Sequence, residues 1–318
     1  MDATMDVVRD AAQADAVDPF VQASEVWVPK DGRLVLASGN FGALDGFRAA
    51  SEAQSFAKGE GLPGKAWAEA CPVVLKSFEG SYFRRTEAAL AAGLTSAVAI
   101  PVFDRATLKA VLVVFCADDQ VRTGAIEVWR ETDKVLRLED GYYGAAKQFE
   151  WVSQHTEFPR GQGLPGGVAA SNTPMMLRDL GSGYRFVRAE SAGLAGLTTG
   201  LGLPVPVPNE AGYVVTLLSA MGTPIARRFE IWDARSARMG SSKTAVLIDG
   251  TCAREGRLWD DETERRIAVW QGPLGRVLGS GVPVVESAAA GLPGGYASMV
   301  ALPIHQAGEL AHIVAWYC

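Results

Sequence analysis

Three glycine-rich stretches decide how this chain is organised: GEGLPGKAWAEACP at residues 59–72, GQGLPGGVAASNTP at 161–174, and the more divergent QGPLGRVLGSGVP at 271–283. Their closing prolines lie 102 and 109 residues apart. A fixed spacing of this size indicates tandem copies of one structural unit. The chain therefore reads as three modules, each long enough for a small hydrophobic core of its own.

Two other sets of residues repeat in the same order. Each module opens with a strand that carries a tryptophan, at Trp27, Trp129 and Trp232, and closes with a pair of apolar strands that contains Pro101, Pro204 or Pro303. A second strand follows each tryptophan after a short polar turn, which favours antiparallel pairing. We predict an α/β (α+β) fold class, in which each module is a central antiparallel sheet flanked by helices.

The predicted boundaries are an N-terminal helix at residues 1–19 and modules at 20–118, 119–222 and 223–318. The third module is the degenerate one. In the run ESAAAGLPGGYAS at 286–298 it is too rich in glycine to form a stable helix.

Composition excludes several classes of function. The formal charge is -6 and the pI is about 5.3, which argues against nucleic acid as a partner. The most apolar stretch, residues 97–116, is broken by Pro101 and by charged residues, so it predicts two strands and no membrane span. The N-terminus has no signal-peptide pattern. The four cysteines are far apart without a CxxC pair, and we expect a cytoplasmic protein with reduced thiols.

The order of motifs resembles the GAF family of sensory modules. In the first module GEGLPGKAWAEACPVV is followed by YFRRTEAALAAGL and then by SAVAIPVF and AVLVVFC. In the second, GQGLPGGVAASNTPMML is followed by RFVRAESAGLAGL, GLGLPVPV and YVVTLLS. The third is identified mainly through the repeat, because Val285 and Ser287 stand where the others have phenylalanine and arginine.

The resemblance implies a sheet of about six strands, with a small-molecule pocket between one sheet face and the segment after the glycine turn. On this basis the ligand-binding candidates are Trp67, Tyr82, Phe83 and Arg85 in the first module, and Tyr184, Phe186 and Arg188 in the second. The alternative interpretation is a helix with a packed phenylalanine and solvated charges. It is favoured because charged residues are mostly exposed. Trp27 and Glu25 are expected to share a sheet face, with the tryptophan as a packing residue.

The residues do not identify a cofactor. No cysteine neighbours a histidine, as bilin attachment requires in the family, and no NKFDE-type string typical of cyclic-nucleotide binding is present. His155 is the axial donor nearest the second glycine turn, and a surface position explains it better than haem binding. No spacing of ligands suggests a metal site.

Nothing in the sequence has the pattern of a catalytic centre. Cys71 is the cysteine near a pocket segment, and its counterparts are Thr173 and Val282. We therefore predict a non-enzymatic sensory or regulatory protein that binds a small molecule and acts on a signalling partner in trans, since no output domain is recognisable. The alternatives are an interaction scaffold that has lost ligand binding and, last, a cysteine-based redox enzyme. The second faces of the sheets are expected to pack between modules or across a homodimer.

Overall fold

The computed structural model describes residues 19–117, 120–182, 186–208, 212–235, 243–259, 264–287, 292 and 295–318. The predicted N-terminal helix lies outside these residues except for residue 19, and so does the candidate ligand residue Tyr184. Residues 288–291, 293 and 294 of the glycine-rich run at 286–298 also lie outside them. The module boundaries themselves stay predictions.

The first module is a six-stranded antiparallel sheet with three helices. Its elements in chain order are β1 (Val21–Lys30), β2 (Arg33–Asn40), α1 (Asp45–Glu52), β3 (Ser55–Ala57), α2 (Gly61–Glu69), β4 (Val73–Leu75), α3 (Thr86–Ala91), β5 (Leu94–Asp104) and β6 (Thr107–Ala117). The strand order is β3-β2-β1-β6-β5-β4. The apolar stretch at 97–116 is therefore the hairpin β5–β6, as predicted.

The second module repeats this arrangement. Its elements are β7 (Thr123–Thr132), β8 (Val135–Gly144), α4 (Lys147–Gln154), β9 (Phe158–Pro159), α5 (Gly163–Ser171), β10 (Met175–Arg178), α6 (Ala189–Leu194), β11 (Leu197–Val205) and β12 (Gly212–Ala220). The strand order β10-β11-β12-β7-β8-β9 is that of the first sheet read from the other edge. The early strand pair and the closing hairpin are where the sequence predicts them.

The third module keeps the sheet. Its elements are β13 (Arg228–Asp233), β14 (Thr244–Cys252), β15 (Gly256–Arg257), β16 (Arg266–Ala268), α7 (Gly272–Ser280), β17 (Val284–Ser287), β18 (Ser298–Gln306) and β19 (Glu309–Tyr317). The order is β15-β14-β13-β19-β18-β17, with β16 also paired to β14. The predicted α+β fold with repeated antiparallel sheets is confirmed. No helix in the described part of the chain is long and apolar enough to span a membrane.

Each tryptophan strand carries the same irregularity. The register against the following strand shifts between Val26 and Trp27, between Val128 and Trp129, and between Ile231 and Trp232. A bulge of this kind bends the strand and increases its twist. The repeat in sequence is therefore a repeat in local geometry as well.

The two faces of every sheet are buried in different ways. One face is covered by the module's own helices: α2 packs on β5 and β6, α5 on β11 and β12, and α7 on β18 and β19. The opposite faces of all three sheets meet in a single cluster, which we call the shared core. It includes Val26, Ile100 and Leu112 from the first module, Val128, Leu201 and Val215 from the second, and Ile231, Leu302 and Val314 from the third. The predicted packing of these faces between modules is confirmed.

The three modules close into a ring. Strand β4 of the first module lies against β8 of the second, and β17 of the third lies against β2 of the first. Between the second and third modules, Arg178 at the end of β10 pairs with Asp249 on β14. The backbone N–H of Val285 donates to Ser38 Oγ at 3.3 Å, which ties the third module back to the first.

One glycine of each glycine-rich motif sits where a helix touches the strand before it. A Cβ at this position would come within 2.1–2.4 Å of a backbone carbonyl oxygen in every module. The pairs are Gly64 with Ala57, Gly166 with Pro159, and Gly275 with Ala268. No side chain fits at this distance, so the sequence needs glycine here for close approach.

Candidate functional site

The predicted helix that was to carry Phe83 and Arg85 begins after them. Helix α3 starts at Thr86, with Arg85 as its N-cap residue, and α6 starts at Ala189 after Arg188. The prediction that these residues lie on a helix is therefore wrong. They belong to the turn that precedes the helix. This turn places the arginine side chain between the sheet and the helices.

Arg85 is buried, with 4% of its surface exposed. Its Nη2 donates to Glu25 Oε2 at 3.0 Å, and its Nη1 contacts Glu25 Oε1 and Ser51 Oγ. Glu25 lies on β1 and is itself fully buried. The favoured interpretation of a solvated charge is wrong for Arg85, because a buried carboxylate on the sheet requires a cation beside it.

Aromatic rings enclose the guanidinium of Arg85. Its central carbon lies between 4.9 and 5.8 Å from five ring centroids, those of Trp27, Phe47, Phe56, Phe83 and Phe115. Trp27 Nε1 donates to Glu25 Oε2 at 2.8 Å, so the tryptophan packs and also satisfies the carboxylate. The expectation that Trp27 and Glu25 share a face and that the tryptophan serves packing is confirmed.

The second module builds the same cluster. Arg188 Nη2 donates to Glu127 Oε2 at 2.9 Å, and its Nη1 contacts Glu127 Oε1 and Ser153 Oγ. Trp129 Nε1 donates to Glu127 Oε2 at 3.0 Å. Arg188, like Arg85, is buried and not solvated. Burial opposes ionisation of Glu127, but the charge and hydrogen bonds of Arg188 outweigh it and lower the pKa of the carboxyl.

The third module reaches the same balance with a different arginine. Trp232 Nε1 donates to Glu230 Oε2 at 2.9 Å, as in the other modules. The cation is Arg228, two residues earlier on the same strand, whose Nε donates to Glu230 Oε1 at 2.7 Å. Val285 lies on β17 and takes no part in this ion pair. Sequence comparison missed Arg228, although a glutamate two residues before each tryptophan was the available signal.

The remaining candidates lie nearer the surface. Tyr82 is 40% exposed, and Lys65 Nζ lies 4.9 Å from its ring centroid. Trp67 is half-buried and packs against the helix-side core of the first module. The structure thus brings Phe83 together with Arg85 under the sheet and leaves Trp67 and Tyr82 at its rim. The assignment of these residues to a ligand stays a prediction.

The cysteine and histidine side chains range from buried to exposed. All four cysteines are free. Burial raises the pKa of the Cys71 thiol, and Glu69 and Glu139 raise it further. His155 is exposed, as predicted, with Nδ1 hydrogen-bonded to the Trp151 carbonyl at 2.7 Å. No group of three or more metal-ligating side chains is found among these residues.

No protein-family model matches the sequence, and the comparison with curated proteins gives no match. Each module is an antiparallel sheet with helices on one face, which is the fold that the GAF resemblance implies.

Solved structures similar to this chain include GAF domains and methionine sulfoxide reductases. A free methionine-R-sulfoxide reductase from Neisseria meningitidis, in complex with its substrate, is 17% identical over 30% of this chain and 52% of its own, with a TM-score of 0.25. The nlh2 GAF domain of A. aeolicus, in an inactive state, is 21% identical over 31% and 59%, with a TM-score of 0.25.

A GAF domain/HD domain protein from Geobacter sulfurreducens is 19% identical over 33% of this chain and 67% of its own, with a TM-score of 0.27. The chain spans 52% of the length of the Neisseria meningitidis structure and 59% of that of the A. aeolicus structure. Likeness at this level identifies neither a ligand nor a reaction.

Proposed function

We propose that this protein is a non-enzymatic regulatory scaffold that acts on a partner in trans. In its first two modules the protein's own side chains fill the interior space where a ligand would bind. The observation that supports the proposal is the buried arginine–glutamate cluster repeated in both modules. It occupies the space between the sheet and the segment before the third helix, where the GAF resemblance would place a ligand. The protein's own guanidinium groups take that place.

The energetics of a buried ion pair support a closed interior. A molecule that entered beside Glu25 would have to displace Arg85 from it. A buried carboxylate without its cation costs about 3–5 kcal/mol in proteins. The five aromatic rings around Arg85 would also lose their contacts with the cation. We therefore favour the scaffold over a small-molecule sensor in these two modules.

The thiols support the non-enzymatic part of the proposal. A catalytic cysteine needs a stabilised thiolate, and such residues usually have a lowered pKa. Burial and two nearby carboxylates raise the pKa of Cys71, which disfavours the thiolate. Burial also raises the pKa of Cys318 to about 11. The raised pKa values of these two thiols thus support a role other than that of a nucleophile.

Two variants and native mass spectrometry test the closed interior. Arg85→Leu leaves Glu25 buried without a cation, so we expect a loss of about 3–5 kcal/mol in the free energy of unfolding. Arg84→Leu is the matched control: Arg84 is its exposed neighbour, paired with Glu60, and should cost less than about 1 kcal/mol. The native mass of the wild-type protein should equal its denatured mass.

One pair of results would contradict this proposal. In the first result, the native wild-type protein has an additional mass. In the second, an Arg85→Leu protein of unchanged stability lacks that mass. Arg85 would then hold a ligand instead of closing the module. Equal destabilisation by Arg84→Leu and Arg85→Leu would also argue against a special role for the buried pair.

A further inference from the structure

The internal repeat allows the three junctions of the ring to be compared at one equivalent position. In the second module, Tyr142 on β8 pairs with Ile126, which lies three residues before Trp129. The residue three positions before the tryptophan pairs with Thr251 in the third module and with Asn40 in the first. Tyr142, Thr251 and Asn40 are therefore equivalent.

At the junction of the first and second modules, side chains fill the space at this position. Tyr142 is buried, and its hydroxyl donates to the Ala117 carbonyl of the first module at 2.6 Å. Its ring centroid lies 5.6 Å from that of Phe20. A Cβ on Gly124 or Gly144 would come within 2.8 or 2.9 Å of the Phe20 ring, so this ring is closely packed too. Two aromatic rings thus fill this junction.

The other two junctions have a cavity at the equivalent position. A cavity of about 800 Å³ lies between the second and third modules and is lined by Thr251. A smaller one, of about 730 Å³, lies between the first and third modules and is lined by Asn40. Neither threonine nor asparagine has the ring that tyrosine supplies. Volumes of this size are typical of small-molecule sites.

The larger cavity keeps the surroundings that Tyr142 has at the filled junction. Ala220, which lines it, ends β12 as Ala117 ends β6, and each pairs with the first leucine of the strand before it. The Ala220 carbonyl is thus the counterpart of the acceptor of the Tyr142 hydroxyl. Phe229 and Met221 supply apolar surface, and Met221 is 79% exposed. An apolar ring that covers this surface gains free energy, because contact with water is lost.

Polar groups around the larger cavity already have partners within the protein. Thr198 Oγ1 donates to the Ser219 carbonyl at 3.3 Å, and Ser219 Oγ accepts from the N–H of Ile225 at 3.0 Å. Arg227 and Arg254 also line the cavity, and both have interactions elsewhere. The cavity therefore suits an uncharged ligand with few polar groups.

We propose that the cavity between the second and third modules binds a small uncharged molecule that carries a phenol ring. The ring lies beside Thr251, where the filled junction has a tyrosine side chain, and its hydroxyl donates to the Ala220 carbonyl. This site goes beyond the scaffold function proposed above. It does not depend on that function, since it lies between modules and uses none of the residues that fill their interiors.

Titration of the full chain with p-cresol, the analogue of a tyrosine side chain, tests the site. Methyl NMR of protein labelled at methionine follows Met221, whose signal is assigned with a Met221→Leu variant. p-Cresol should shift the Met221 signal in a saturable way. Toluene, which has the same ring and methyl group without the hydroxyl, should bind roughly threefold to tenfold more weakly, because it lacks one neutral hydrogen bond.

Thr251→Tyr supplies the missing side chain from the protein itself. It should weaken p-cresol binding by roughly tenfold or more, since the new ring takes the space of the ligand. Asn40→Tyr is the matched control: it adds the same side chain at the equivalent position in the smaller cavity and should leave the Met221 response unchanged. Ala253→Trp, at an exposed position that lines the larger cavity, makes the same test if Thr251→Tyr does not fold.

Three results would overturn the proposal. They are a Met221 signal that does not respond to p-cresol, unchanged binding in a folded Thr251→Tyr or Ala253→Trp protein, and an equal loss of binding in Thr251→Tyr and Asn40→Tyr. Equal affinities for p-cresol and toluene would exclude the contact with Ala220, and with it a phenol as the class of ligand. None of these outcomes depends on Arg85, so they are distinguishable from the test of the module interiors.

Discussion

Glu25, Glu127 and Glu230 each accept a hydrogen bond from the tryptophan two residues later, and each has a guanidinium beside it. In the first two modules the guanidinium comes from the turn before a helix, and in the third from the same strand. The carboxylate and the tryptophan are thus constant, while the source of the cation varies. Charge neutrality of the interior, and not the identity of one arginine, is what the three modules share.

At the same scale, His312 is a buried polar side chain of a different kind. It is fully buried, and neither ring nitrogen has a hydrogen-bond partner among the described residues. It alternates with Val314 and Trp316 along β19, so it faces the shared core. Burial lowers the pKa of His312 to about 4, with the charge of Arg235 acting in the same direction and that of Asp233 against it.

We expect this histidine to make the fold sensitive to acid. Its pKa in the unfolded chain is near 6.5, so below that pH the unfolded state binds a proton that the folded state refuses until about pH 4. Stability is fully present above pH 6.5 and falls through this window, by about 2 kcal/mol at pH 5. Urea unfolding at pH 7 and pH 5 measures the loss.

The chain itself offers the variant for this test. Tyr213 pairs with Arg130, next to Trp129, as His312 pairs with Asp233, next to Trp232, so tyrosine occupies the equivalent position in the second module. His312→Tyr should reduce the loss between pH 7 and 5, and His155→Tyr, at an exposed position, should not. An unchanged pH dependence in His312→Tyr would show that other groups cause it.

The sequence allowed part of this residue-scale description. Burial of the phenylalanines and tryptophans follows from their spacing and size. The exposure expected for Arg85 and Arg188 was wrong, because the general tendency of arginine to be exposed does not hold where a buried glutamate faces it. The glutamate two residues before each tryptophan was visible in the sequence. The arginine beside that glutamate was not, because it comes from a turn before a helix in the first two modules and from the same strand in the third.

At the scale of elements, the glycine-rich motif is a joint between a short strand and a helix. In all three modules the N–H of a residue in the turn donates at 2.7 Å to the carbonyl of the glycine five residues later. The donors are Gly59, Gly161 and Trp270, and the acceptors are Gly64, Gly166 and Gly275. The helix follows at once, at Gly61, Gly163 and Gly272, so turn and helix form one rigid unit.

We expect Gly64→Ala to destabilise the protein by about 1–3 kcal/mol, since its Cβ would meet the Ala57 carbonyl oxygen at 2.1 Å and backbone would have to move. Gly46→Ala is the control. Gly46 lies in α1 with no atom within 4 Å of a new Cβ, and alanine there should stabilise by about 0.5–1 kcal/mol. Denaturant unfolding of both variants gives the comparison, and similar values for the two would contradict it.

Strands were easier to predict than helices in this chain. The hairpins β5–β6 and β18–β19 follow from apolar runs broken by a short polar turn. The helix expected to include Phe83 begins only at Thr86, because the residues before it turn inward to place Arg85 beside Glu25. That contact joins residues 60 positions apart, which local periodicity does not register.

At the scale of the whole molecule, each junction of the ring joins equivalent strands. Lys76 Nζ lies 2.8 Å from Asp140 Oδ1 between the first and second modules, and Arg178 pairs with Asp249 between the second and third. The position in the first module equivalent to Asp140 and Asp249 is Ser38, whose Oγ accepts a hydrogen bond from the N–H of Val285. Two junctions therefore carry an ion pair and the closing one does not.

We expect that the first two modules alone, residues 1–222, do not form a soluble monomer. The third module covers part of the shared core, and its loss would expose a large apolar area to water. Size-exclusion chromatography and denaturant unfolding measure the outcome. As the control, residues 223–318 produced together with 1–222 should restore a soluble complex of full mass. A monomeric 1–222 that unfolds cooperatively would contradict this expectation.

The sequence predicted that the second sheet faces pack between modules or across a homodimer, and it did not predict the ring. The apolar residues on both faces of each sheet led to that prediction. The closing contact is built from residues of different modules, Ser38 and Val285, which are 247 positions apart in the chain. No repeat or motif relates such positions, and only the assembled molecule shows them.

In a closed ring of three modules, no module is structurally the first or the last. Residues 19 and 318 line the same cavity, so the described chain returns to where it starts. The shared core takes strands from all three modules without regard to which of them is synthesised first. The chain could therefore begin at any of the three junctions between neighbouring modules. We expect that a short linker from residue 318 to residue 19, combined with a cut in the chain at another junction, gives a circular permutant that keeps every contact of the core.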